Sequence, residues 1–221
     1  MQSSSPLRAV LFDLDGTLIQ SVEHIVDCWQ YTVRTCLGRE ITREEVLPTL
    51  GRTLYDAFEE IAPGRSAELL STYHGYQHTS HDQKITLIPG TKETLTRLKE
   101  AGLRLGVATS KGIPAATRGI NLFDLAPFFD TLVTIEDTAR HKPHPDPLLV
   151  ASERLGVPPP EMIYVGDALV DIKAGKAAGM KTAWVTWGAG TAAEIDGMEP
   201  DYIFASMEDI LVLLPIEAPN M

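Results

Sequence analysis

With 221 residues, of which 44% are hydrophobic and 22% charged, the chain has a globular composition and the length for one large domain or a core domain plus a smaller one. Its formal net charge of −11 excludes nucleic acid and anionic membrane as expected partners, because a phosphate backbone needs a basic face. No apolar stretch approaches a membrane span, and Met1 to Pro6 lack the charged-then-apolar order of a signal peptide, so the expected location is cytoplasmic.

The first predicted element is a strand. The run Ala9-Val10-Leu11-Phe12 shows no alternation, as in a central parallel strand covered on both faces, and it leads straight into Asp13-Leu14-Asp15-Gly16-Thr17. Residues i and i+2 of an extended chain point to one side, so Asp13 and Asp15 can serve one site while Leu14 turns into the core. Ligands of open α/β sheets sit beyond the carboxyl ends of the strands, where both aspartates fall. Taken alone, the same residues would equally make an acidic turn.

From Ser21 to Lys84 no convincing strand follows. Ser21–Leu37, Thr42–Leu50, Leu54–Ile61 and Ser66–His78 carry apolar residues at helical spacing, with Pro63-Gly64 as a break. Cys28 and Cys36, the only cysteines, lie eight apart in the first of these helices, hence about 12 Å apart, and a disulfide needs less than about 7 Å; they are expected as free thiols. Thr91–Ala101 then reads as a helix closed by Gly102, and Leu103–Ala108 as a strand ending in Thr109-Ser110-Lys111. Asp130–Ile135 is a strand, Asp146-Pro147 caps and opens a helix to Leu155, and Met162–Val165 is a strand entering Gly166-Asp167. A helix closed by Gly179 and strands at Thr182–Trp187 and Tyr202–Phe204 complete the pattern; Pro215–Met221 reads as a frayed tail.

Alternating strands and helices predict a Rossmann-like α/β core, a parallel sheet with helices on both faces. The helical stretch is then an insertion, giving an α/β catalytic core over residues 1–19 and 86–221 and an α-helical cap over 20–85 that sits as a lid over the strand ends. The strand ends offer Asp13 and Asp15, Thr109 and Ser110, Lys142, and Asp167 with Asp171. Carboxylates, hydroxyls and an ammonium suit phosphoryl transfer, which needs a nucleophile, donors for the equatorial oxygens and cations to offset charge. Mg²⁺ favours a few carboxylate or carbonyl oxygens with water and substrate phosphate, and Asp13, Asp167 and the main-chain carbonyl of Asp15 form a reasonable shell.

Asp13-Leu14-Asp15-Gly16-Thr17-Leu18, Ala108-Thr109-Ser110-Lys111, Lys142-Pro143-His144-Pro145-Asp146-Pro147 and Val165-Gly166-Asp167-Ala168-Leu169-Val170-Asp171 together resemble, in order, the four motifs of the haloacid dehalogenase superfamily. The resemblance implies Asp13 as the nucleophile forming an aspartyl-phosphate and Asp15 as general acid, then base. It implies Thr109, Ser110 and Lys142 as phosphate-binding residues, Asp167 as a Mg²⁺ ligand, and Asp171 as support for the metal shell or for the lysine. An acid at Asp15 points to phosphatase or phosphomutase chemistry rather than dehalogenation. A phosphonatase, which uses a cap lysine, has only Lys84 to draw on here.

The insertion resembles the small α-helical cap of that superfamily. Lys142-Pro143-His144-Pro145-Asp146-Pro147-Leu148 is similar to phosphoglycolate phosphatases, whereas Val46-Leu47-Pro48, Gly51, Leu54, Asp56-Ala57-Phe58, His78 and His81-Asp82 look more like bacterial inorganic pyrophosphatases. The expected function is therefore a Mg²⁺-dependent phosphatase acting on a small phosphorylated substrate such as 2-phosphoglycolate. Pyrophosphate is the alternative substrate; a sugar phosphomutase, or a binding protein that kept the fold, are further ones. Monomer and homodimer both fit. Arg52 could meet a second anionic group. His74, His78 and His81 are spaced to share a helical face, but with no carboxylate network matched to them surface histidines are the expected reading over a second metal site. Gly188-Ala189-Gly190-Thr191-Ala192-Ala193 matches a dinucleotide-binding glycine pattern, but a fold of that kind carries it at its first strand, so the loop is expected to border the phosphatase site instead.

Overall fold

The computed structural model describes residues 6–214; the tail from Pro215 lies outside them. Strand β1 (Ala9–Phe12) is fully buried and pairs in parallel with β4 (Arg104–Ala108) on one side and β6 (Met162–Gly166) on the other. With β5 (Thr131–Val133), β7 (Lys181–Val185) and β8 (Tyr202–Phe204) the order is β5-β4-β1-β6-β7-β8, all parallel. The unbroken apolar run of β1 is thus explained by burial on both faces. The chain leaves β1 first toward β4 and β5, then returns to β6 and continues outward. That reversal makes the β1/β6 junction the switch point where a ligand crevice forms.

One face packs Val10, Phe12, Leu105 and Val165 against Leu95 and Leu98 of α5 (Thr91–Glu100) and Ala116 and Ile120 of α6 (Ile113–Leu122). The other packs Leu11, Ala108 and Tyr164 against Leu148, Ala151 and Leu155 of α7 (Asp146–Leu155) and Ala174 and Ala178 of α8 (Leu169–Ala178). The helical stretch has a core of its own. α1 (Val22–Leu37), α3 (Leu54–Ile61) and α4 (Ser66–Lys84) gather Trp29, Phe58, Leu69 and Tyr73, with the Trp29 and Phe58 rings 4.4 Å apart between centroids. Both cysteines are free. Among the described residues no helix is long and apolar enough to cross a membrane.

Several elements differ from the sequence reading. Two short strands, β2 (Ile19–Gln20) and β3 (Thr86–Leu87), pair antiparallel where the helical stretch leaves and rejoins the core. Two-residue strands carry no periodicity to detect. The expected helix Thr42–Leu50 stops as α2 (Arg43–Val46) and a 3-10 turn, because Pro48 has no N–H to continue the ladder. α4 continues to Lys84, and α6, opening on Ile113-Pro114, went unread. Asp146 does not cap α7 but begins it after Pro145, and its carboxylate accepts from Arg140 Nε at 3.0 Å.

Candidate active site

The turn after β1 sets the first two carboxylates. Asp13 stays in the ladder, its N–H donating to Val165 O at 2.9 Å, and Leu14 drops into the core as expected. Gly16 adopts φ +73°, and a Cβ there would lie 2.4 Å from Asp167 Oδ2, so both conformation and space demand glycine. The turn then brings Ser21 back to Asp15. Asp15 Oδ1 accepts hydrogen bonds from Ser21 Oγ and from the ammonium of Lys111. Burial favours a neutral Asp15, but the Lys111 charge and these hydrogen bonds outweigh it and hold the carboxyl below its ordinary value.

Past β4, the Thr109 N–H donates to Val133 O at 3.0 Å and its Oγ1 accepts from Lys111 N at 3.2 Å, which tightens the loop at the strand end. Ser110 Oγ donates to Gly51 O at 2.6 Å, so its hydroxyl ties the loop to the helical unit and leaves its backbone for a ligand.

Lys142 is almost wholly buried, with Nζ 3.0 Å from Asp13 Oδ1, 2.8 Å from Asp171 Oδ1 and 3.1 Å from the Tyr164 hydroxyl. Burial alone would discharge it. The two carboxylates reverse that and keep it an ammonium, its pKa pushed up. Asp171 is the lysine's anchor: Oδ1 accepts from Lys142 and Oδ2 accepts from Ala168 N at 2.9 Å. Tyr164 OH donates to Ala108 O at 2.8 Å, linking the lysine to the end of β4.

Asp167 follows β6. Its Oδ2 accepts from Ala189 N at 2.6 Å, and its main-chain O accepts from Gly190 N at 3.1 Å and Trp184 Nε1 at 3.0 Å. A Cβ on Gly188 would sit 2.2 Å from Asp167 Cβ, and one on Gly190 2.3 Å from Asp167 O. The glycine pattern expected to border the site does so by wrapping this aspartate.

Asp13, Asp167 and Asp171 offer oxygens within 4.8 Å of one another. Burial, then mutual repulsion, pushes Asp167 far up; burial, only partly offset by Lys142, pushes Asp13 up to about 7. Asp13 Oδ1 meets only the Lys142 ammonium, at 3.0 Å, and accepts no other hydrogen bond. Buried carboxylate oxygens of Asp13 and Asp167, in a cluster whose three carboxylates face a single ammonium, are hard donors short of positive charge, so these residues fit Mg²⁺. The carboxylate of Asp15 stands outside the cluster, engaged by Lys111 and Ser21.

Asp13, Asp15, Thr109, Ser110, Lys111 and Asp167 form the floor of a cavity of about 200 Å³. Its roof comes from the helical unit and is mostly apolar, including Ile25, Trp29, Leu54 and Tyr73. Arg52 reaches the same cavity but pairs with both carboxylate oxygens of Glu60. The three histidines part company. His74 is exposed and lines the cavity, His78 Nδ1 lies 3.2 Å from Arg118 Nη1, and His81 is buried rather than on the surface, with Nδ1 2.8 Å from Asp82 Oδ1. Lys111, Tyr164 and Ser21 carried no role in the sequence reading. Their signals were faint: a lysine adjoining Thr109-Ser110, a hydroxyl inside an apolar strand, and a serine at a helix start.

The sequence profile of haloacid dehalogenase-like hydrolases matches residues 10–185. A pyrophosphatase PpaX of Bacillus velezensis is 41% identical over 205 residues, 93% of this chain and 95% of its own. The Bacillus cereus protein of that name is 38% identical over 208 residues, 94% and 96% of the two chains. A structure from Lactobacillus plantarum assigned to phosphoglycolate phosphatase superposes with a TM-score of 0.86 at 26% identity, covering 95% of this chain and all of its own (100%). A haloacid dehalogenase-like hydrolase structure from Bacteroides fragilis gives a TM-score of 0.86 at 29% identity, covering 92% and 99%.

Proposed function

The chain belongs to the haloacid dehalogenase-like hydrolases and is a phosphatase, and we propose that it cleaves a small two-anion phosphate, pyrophosphate first and 2-phosphoglycolate second, with Mg²⁺ as cofactor. The convergence of Asp13, Asp15, Thr109 and Asp167 on one cavity at adjacent strand ends, with Lys142 behind Asp13, carries the reading. Pyrophosphate is favoured by the name of the curated relatives at 38% and 41% identity. Phosphoglycolate is favoured by the Lys142–Leu148 motif and by the name of the L. plantarum structure. Residues 20–85 act as the cap and residues 1–19 with 86–221 as the catalytic core, the Ser110–Gly51 hydrogen bond being one latch between them.

Mg²⁺ held by Asp13 and Asp167, with the Asp15 carbonyl, would offset the charge between nucleophile and phosphate. Asp13 attacks phosphorus, and the bond to the leaving oxygen breaks with its electron pair on the leaving group, giving an aspartyl-phosphate. Thr109 and the Ser110 backbone hold the phosphoryl oxygens, while Lys142, oriented by Asp171, neutralises them. Asp15, which Lys111 holds as a carboxylate, first takes up a proton from solvent, gives it to the leaving oxygen, then takes one from the water that attacks phosphorus and frees Asp13. One water is consumed, and the products are phosphate with an alcohol, or two phosphates. Arg52 lines the cavity from the cap but is held by both carboxylate oxygens of Glu60, so it contacts substrate only where that pair opens. The test is a turnover panel of pyrophosphate, 2-phosphoglycolate, sugar phosphates and nucleoside monophosphates, with and without Mg²⁺. Preference for either of the first two supports the reading, and no phosphate release from any of them refutes it.

A further inference from the structure

Lys111 touches no substrate atom in the steps above, yet it pairs with Asp15 at the floor of the cavity. Its side chain is 13% exposed and that of Asp15 15% exposed, so the pair is neither sealed in the core nor out in solvent. Both residues line the cavity. A pair that served the fold alone would have no reason to open onto the space where substrate binds.

The other cations near the cavity are committed elsewhere. Lys142 is clamped by Asp13 and Asp171 on the phosphoryl side, and Arg52 is held by both oxygens of Glu60. Lys111 has a single carboxylate partner, which the proposed mechanism turns toward the leaving oxygen. Apart from Arg52, the roof joins apolar Ile25, Trp29 and Leu54 to uncharged polar groups such as Thr53, His74 and Gln77, and so offers no fixed charge to an anion. A leaving group with a negative charge of its own would have to find its cation on the floor, since burying an anion against apolar side chains is costly.

We propose that Lys111 is a specificity-determining residue whose ammonium receives an anionic group on the leaving group, so that the site selects phosphates with a second anion over those that lack one. The inference rests on Asp15 facing the leaving oxygen. The second anion is a phosphate in a diphosphate and a carboxylate in a carboxyalkyl phosphate; the chemistry that Lys111 reads is shared by both.

The experiment compares Lys111→Met, Lys111→Gln and Lys111→Arg with the unmodified enzyme on pyrophosphate, 2-phosphoglycolate and p-nitrophenyl phosphate at saturating Mg²⁺. The first two substrates distinguish the source of the anion, and the third has no second anion. In Lys111→Met, kcat/KM for at least one two-anion substrate is expected to fall on the order of 100-fold, the size of one charge-assisted contact, mainly through KM. p-Nitrophenyl phosphate should lose only what the altered Asp15 costs, a fall at least about tenfold smaller than that of the two-anion substrate. Lys111→Arg keeps the charge and should keep the preference within about tenfold, while Lys111→Gln repeats the loss should the methionine variant fold poorly. Equal losses on all three substrates would reduce Lys111 to a support for Asp15 and overturn the proposal, as would no loss at all. Failure of the underlying phosphatase reading appears separately, as an unmodified enzyme that releases phosphate from none of the three.

Discussion

Gly188→Ala tests whether the glycine loop exists to place Asp167. The added Cβ would stand 2.2 Å from Asp167 Cβ and 2.3 Å from its Oδ2, where carbon atoms at rest keep about 3.5–4.0 Å. Either the loop or the aspartate must therefore move by more than about 1 Å, and the hydrogen bond from Ala189 N to Oδ2 moves with it. Overpacking of this kind costs about 1–3 kcal/mol, which in a chain of this size lowers the melting temperature by about 2–4 °C per kcal/mol. Disturbing a ligand's outer support lowers metal affinity about 10–100-fold. Gly106→Ala is the matched control, since its Cβ would meet Thr131 Cγ2 at 2.7 Å and Leu11 Cδ1 at 2.9 Å inside the sheet. Both variants should melt lower, but only Gly188→Ala should need more Mg²⁺ for half-maximal activity. A Gly188→Ala protein with lowered melting and unchanged Mg²⁺ dependence would show that the loop serves the fold alone.

Asp13→Asn should lose about 10⁴-fold or more in kcat while melting higher than the parent without metal, because one of the mutually repelling buried carboxylates is gone; calorimetry and phosphate release check both. Mg²⁺ at a hundredfold its dissociation constant should stabilise the unmodified protein by about 2.7 kcal/mol, and a melting temperature indifferent to EDTA would exclude a metal at Asp13 and Asp167. Ser110→Ala removes the 2.6 Å bond to the Gly51 carbonyl, worth about 1 kcal/mol, so KM should rise about fivefold with a smaller change in kcat. Burial, aided by the charge of nearby His81, lowers the buried His24 to about 4, from an ordinary 6.5. Because its folded pKa is depressed, the unfolded chain binds the proton first, so stability is fully present above pH 6.5 and falls as pH drops toward 4, by up to about 3 kcal/mol. Urea midpoints across that range should show the decline, and His24→Gln should flatten it.

The parts of the molecule legible in the sequence were those fixed by short-range pattern. β1 announced itself as a doubly covered strand through four adjacent apolar residues, and Asp13, Asp167 and Lys142 could be placed because each follows a strand end. α3 and α7 were delimited because Leu54–Ile61 is apolar at helical spacing and Gly156 closes a periodic run. What stayed hidden depends on residues far apart in sequence. Lys111 meets Asp15 across 96 positions and Tyr164 meets Lys142 across 22, so neither contact has a local signature. His81 read as a surface residue because α4 shows little amphipathic pattern; its burial comes from α1 and α6 packing on it, with Gly119 close to the imidazole ring. The glycine loop misled for the reverse reason: a local pattern built for close backbone approach is indifferent to whether the object approached is a dinucleotide or an aspartate.

The charges of the site imply an order of events. Fully ionised, Asp13, Asp167 and Asp171 with Lys142 would carry a charge of −2 among buried side chains at the floor of the cavity. A phosphate dianion meeting that cluster would add repulsion to burial, and the raised pKa values of Asp13 and Asp167 show the cluster already resisting its own charge. One divalent cation brings the sum to zero before any substrate arrives, and Lys142, anchored by Asp171 and Tyr164, is then free to answer the phosphate rather than the aspartates. Metal should therefore bind ahead of substrate: KM should fall as Mg²⁺ is raised, while kcat extrapolated to saturating substrate should depend on Mg²⁺ far less. An acidic chain can in this way hold an anionic substrate without a basic surface, because neutrality is arranged over a few ångströms at the strand ends and not over the whole molecule.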